Sequence, residues 1–199
     1  MLEPFKRSEE AHVNSAKSSL SIDLFSTLAA HPKKLVAIAF VLSIAVLFHD
    51  SLAAVLLVAA TLALSFISQV TRLKRFGLEL VTFTVVLLGV SYGPMAGLLA
   101  GLSLEFVHVI LIRRAFQINN LWAITGFGLA GFIAGHLTAI DMVLLGIGLT
   151  LFLHSLHIVM TTLVSGRPGA RYSLLYLFPN IILNVLLFMN FSAPALRLL

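Results

Sequence analysis

Long apolar runs, broken by short charged or turn-forming stretches, recur along the chain over 35–48, 52–70, 78–92, 95–112, 121–137, 142–164 and 174–191. Each is near the roughly 20 residues that a helix needs to cross a bilayer. The first is short, and Lys33 and Lys34 can extend it by snorkelling. The third runs into Gly93-Pro94, a pair that ends one helix and begins another, so the third and fourth runs are predicted to form a tight helical hairpin. The pattern predicts an all-α fold: a polytopic membrane helical bundle of six to seven transmembrane helices.

Charge placement favours seven, with the N-terminus cytoplasmic. Threaded that way, Lys6, Arg7, Lys17, Lys33, Lys34, Arg72, Lys74, Arg75, Arg113, Arg114, Arg167 and Arg171 all fall inside, and of the 13 Lys and Arg only Arg197 falls outside. A re-entrant first run would flip every later loop and split the same residues almost evenly. The positive-inside rule prefers seven. Composition agrees, since 59% of residues are apolar and 11% charged, against about a quarter charged in soluble domains. Topology and anionic-lipid contact then account for the net charge of +5, and no nucleic-acid partner is called for. With no cysteine, thiolate metal sites, disulfides and cysteine nucleophiles are excluded.

The expected domains are a cytoplasmic tail over 1–32 and a transmembrane domain over 33–199. The tail is polar, of mixed charge, and lacks the apolar core of a signal peptide. Within it Leu20, Leu24, Phe25 and Leu28 recur at helical spacing, which suits either a short interfacial helix or a disordered tail. Small residues mark expected helix contacts: Gly97 with Gly101, then Gly126, Gly131 and Gly135, and Gly146 with Gly148. Ala59 and Ala63 form a similar patch, either for packing or for docking another membrane protein.

Ionisable and amide groups stand inside these runs. A charged side chain at a helix centre costs roughly 2.5 to 3.5 kcal/mol on insertion scales, so such groups face a bundle interior, a cavity or a ligand. Glu105 and His108 are three apart and share a helix face, and His154 and His157 repeat the spacing. Seven spans put the two pairs at matching depth. Asn180 and Asn184, one turn apart beside Pro179, can lie near the same level. These six are the candidate ligand-binding residues. One carboxylate and three imidazoles also suit a divalent transition metal, which makes Glu105, His108, His154 and His157 candidate metal ligands. A proton relay, a pocket for a small polar ligand and simple structural pairing are the other readings. His49, Asp50, His136 and Asp141 fall at external span ends as solvated loop residues, and Glu79 pairs with Arg75 at the surface.

The stretch LELVTFTVVLLGVSYGPMAGLLAGLSLEFVHVILI over 78–112 resembles the central hairpin of S components, the substrate-binding membrane subunits of energy-coupling-factor transporters. There a glycine-spaced helix after a Gly-Pro turn carries an acidic residue near the place of Glu105. The similarity continues loosely through LWAITGFGLAGFIAGHL and LFPNIILNVLLFMNFSAPALRLL. The same pattern also resembles the rod-shape-determining MreD proteins. The chain departs from S components in its extra first run, its short Arg72–Gly77 connection and the external side of its Gly-Pro turn.

The S-component resemblance implies a subunit of the cell membrane that captures a vitamin, metal or other small solute and is driven by a partner transmembrane protein with ATPases. Ala59 and Ala63 would then dock that partner. The MreD resemblance implies a scaffold of the cell-wall machinery with no substrate. An intramembrane metal-dependent enzyme is a third expectation, ranked last because neither a Gly-x-Ser-x-Gly elbow nor a His-Glu-x-x-His helix occurs.

Overall fold

The computed structural model describes residue 48 and residues 51–71, 80–112 and 118–199, all within one compact unit, Phe40–Leu199. The expected tail, most of the first run, and His49, Asp50, Arg75 and Glu79 lie outside the described residues. Among those described the protein is all helical. The helices are α1 (Leu52–Val70), α2 (Val81–Tyr92), α3 (Pro94–Ile112), α4 (Ile118–His136) and α5 (Met142–Leu198).

Two stretches, Met142–Val164 and Leu177–Leu198, are long and apolar enough to cross a membrane. The other apolar helices are shorter. At 12 residues, α2 rises about 18 Å, less than the ~30 Å of a hydrocarbon core. Helix boundaries otherwise follow the apolar runs closely, except that helix continues through 165–173, where the pattern predicted a break, and past 191. The last helix continues past 191 because Asn190 and Ser192 donate to the carbonyls of Leu186 and Phe188. Polar side chains satisfied in this way do not end a helix.

The α5 chain doubles back on itself. His154 lies 2.8 Å from Asn180, 26 residues away, a separation that would be about 39 Å along a straight helix. Gly146 meets the ring of Phe188. Both pairs are centred on residue 167, within Gly166-Arg167-Pro168-Gly169, where glycine and proline weaken the helix. The two arms therefore run antiparallel, Met142–Val164 against Leu177–Leu198.

At the centre stands α2, buried continuously from Val81 to Gly89 and packed against each of the other helices. Phe83 meets Phe188 of α5 edge to face at 5.1 Å. The turn into α3 uses Gly93 at a φ of 92°, a conformation that side chains with a Cβ disfavour. Its N–H closes α2 on the Gly89 carbonyl, and Pro94 opens α3 where no N–H is needed.

Three helices meet at glycines. A Cβ on Gly97 would fall onto the Gly131 carbonyl and 2.7 Å from the Gly89 Cα. Such contact supplies the close packing that drives helix association in lipid. Gly101 against Phe127 and Gly135 against Pro94 continue the seam, so α3 and α4 are antiparallel. Not every glycine serves this end, since Gly148 has nothing within 4 Å. Gly97→Val should therefore lose about 1–3 kcal/mol or more, read as a lower melting temperature in detergent, whereas Gly148→Ala should melt like the parent.

Candidate functional site

Many large apolar side chains lie outside, and a set of polar groups is buried within the apolar core. Large apolar side chains face outward on every helix except α2, for example Leu56, Phe66, Leu129, Leu163, Phe178 and Ile182. Inside lie Thr61, Ser65, Thr84, Asn120, Thr150, His154, Asn180 and Asn184, together with Glu105, the one buried carboxylate among the described residues. A contiguous apolar exterior marks contact with lipid or a partner. Where the surround offers no water, interior polar groups must bond one another.

One polar centre lies in the seam between the arms of α5. Asn184 Nδ2 donates to the backbone carbonyl of Asn180 at 3.1 Å and to Asn180 Oδ1 at 2.7 Å. The backbone carbonyl accepts only, which fixes which end of the Asn184 amide faces it. That fixes Asn180 Oδ1 as an acceptor in turn, so His154 must donate to it through Nε2–H. Three side chains from both arms thus form one ordered chain. Pro179 lacks an N–H, which removes one backbone bond beside this chain.

A second centre joins α1, α2 and α3. Thr61 gives its proton to the Leu57 carbonyl, so Thr84 donates to Thr61 Oγ1 at 2.6 Å. Ser65 gives its proton to the Thr61 carbonyl, so His108 donates to Ser65 Oγ through Nδ1–H at 2.9 Å. With its proton on a carbonyl, Ser65 is not activated by the imidazole as a nucleophile would be. Glu105 is 5% exposed and lies nearly one turn before His108 on α3.

The structure brings together His154, Asn180 and Asn184 of the predicted residues. His108 turns to α1 instead, and His157 is half-buried on the α5 arm. Among the described residues no three His, Asp or Glu side chains come close enough to hold a metal ion, so Glu105, His108, His154 and His157 do not form a cage. His108 bonds Ser65 of α1 while His154 bonds Asn180 across the α5 seam, so equal spacing on two helices does not bring the imidazoles to one point.

Ala59 and Ala63 are exposed on the outer face of α1 beside Leu52, Leu56 and Phe66. His136 is exposed and packs edge-on to Phe132. Asp141, also exposed, caps α5 by accepting from the N–H groups of Val143 and Leu144 at 3.0 Å. The hydroxyl line of Thr61, Ser65 and Thr84, and fully buried Asn120, were not anticipated. Thr61, Ser65 and Ser68 recur at i, i+4 and i+7, the signal that marks the inner face of α1. Compared with known proteins, the chain matches no family model, no curated protein and no solved structure.

The His154–Asn180 bond should register as energetic coupling. A cycle of His154→Leu, Asn180→Leu and the double variant, followed by unfolding in detergent, should give about 0.6–1.7 kcal/mol, the range for polar pairs in membrane helices. Strict additivity would mean the bond contributes nothing.

Proposed function

We propose that the chain is a small multi-pass subunit of the cell membrane that holds a small solute in its polar interior. On this reading it resembles an S component in working with a partner transmembrane protein and ATPases. The observation that carries the reading is Glu105, a carboxylate buried within an apolar exterior. Ionisable groups at such positions are costly to keep, and they mark solute or ion pathways when they occur. The near one-sided placement of Lys and Arg supports seven spans with the N-terminus inside. His108, His154, His157, Asn180 and Asn184 supply further polar surface for a solute.

A scaffold of the MreD kind is the second reading, and the pairing of His108 with Ser65 and of His154 with Asn180 favours it. The exposed face carrying Ala59 and Ala63 would then receive a partner.

Melting of the purified protein against water-soluble vitamins and divalent metal salts, for the parent and for Glu105→Gln, separates the readings. Loss of a hydrogen bond to a charged group amounts to about 1.5–3 kcal/mol, or tenfold and more in affinity. A solute that stabilises the parent should therefore bind Glu105→Gln at least about tenfold more weakly, with the solute-free melting temperature little changed. Equal stabilisation of both chains contradicts the role of Glu105. Stabilisation of neither, with a membrane partner lost on Ala59→Leu/Ala63→Leu, supports the scaffold.

A further inference from the structure

We propose that the α5 seam takes a small neutral hydrogen-bond donor, an O–H or N–H group, onto Asn184 Oδ1. Asn184 is fully buried. Both hydrogens of its Nδ2 go to Asn180, one to the backbone carbonyl and one to Oδ1. Turning the amide over would set two oxygens against each other at the backbone, so Oδ1 is held facing away from Asn180. There it has two lone pairs, and among the described residues no group donates to it.

The hairpin itself provides no remedy. The register that pairs Gly146 with Phe188 and His154 with Asn180 sets Thr150 across from Asn184. Thr150 is buried, and its hydroxyl proton goes to the Gly146 carbonyl at 2.7 Å. The level of Asn184 thus presents an amide oxygen and a hydroxyl oxygen whose proton is already committed. Ionised carboxylates bring only acceptors and are repelled there. A cation would need a countercharge, and neither arm carries Asp or Glu between Met142 and Leu198. A neutral donor fits on both counts: an alcohol or amide group of a solute, or an internal water. The solute source rests on the proposed function; the water source does not.

The test uses the full chain in lipid nanodiscs with isotopically labelled asparagine, the Asn184 side-chain signal being assigned by its loss in Asn184→Leu. Transfer of magnetisation from a long-lived water to the Asn184 amide would identify water as the donor. Without that transfer, a shift of the Asn184 signal by isopropanol, but not by acetone of nearly the same size and lacking the O–H, would identify an external donor. Either result supports the site. Thr150→Gln, which sets an amide N–H across from Asn184, should suppress the response while the Asn120 signal stays in place. No water transfer together with no isopropanol response, or equal shifts by isopropanol and acetone, would overturn the proposal. Water transfer with no vitamin or metal binding keeps the donor site and counts against the solute-binding role instead.

Discussion

The hydrogen bond from His154 Nε2–H to Asn180 Oδ1 joins residues that are distant in sequence, and the last third of the chain is organised around it. Without the fold-back that it records, α5 would be a single rod of 57 residues, about 85 Å long. Folding it in two sets Gly146 against Phe188, brings Phe188 to Phe83 of α2, and leads the chain end back to Tyr92, whose hydroxyl donates to the Leu199 carbonyl. Apolar packing between the arms has little directional content, because lipid-like surfaces fit at many registers. Polar groups with nowhere else to bond select one register.

The same constraint divides the interior into two centres. Around α2, glycines at the level of Gly89, Gly97 and Gly131 let backbones touch, and further along α1, α2 and α3 hydroxyls and an imidazole replace them. In the α5 seam amides and an imidazole have that role. Each centre commits its protons in order, beginning from a backbone carbonyl that can only accept. The two histidines thus donate to these partners through different nitrogens, Nδ1 on His108 and Nε2 on His154. A single four-residue metal cage would have needed both rings to face one point.

Much of the helix plan was legible because it rests on local chemistry. The limits of α1 coincide with the apolar run over 52–70, the start of α5 with residue 142, and the Gly93-Pro94 turn with the break between α2 and α3, whereas the predicted break after 164 is helical. Asn180 and Asn184 were recognisable as polar groups one turn apart within an apolar helix. The partners were not, since which face of α3 meets α1 depends on the glycine contacts with α4, a tertiary fact. Thr61, Ser65 and Thr84 were inconspicuous because single hydroxyls bonded to their own helix are common in apolar segments. Their burial distinguishes them, and on α1 so does the spacing of Thr61, Ser65 and Ser68 along one face.

Distance across α5 is the most direct measure of this account. The chain has no cysteine, so Phe152→Cys/Ile182→Cys places two spin labels at exposed positions that lie at the same level of the hairpin register. Arms packed at about 8–10 Å between axes, with both labels projecting outward from the seam, should give a label separation of about 20–30 Å. A separation near 45 Å, the length of the intervening helix if straight, would contradict the fold-back and with it the polar seam.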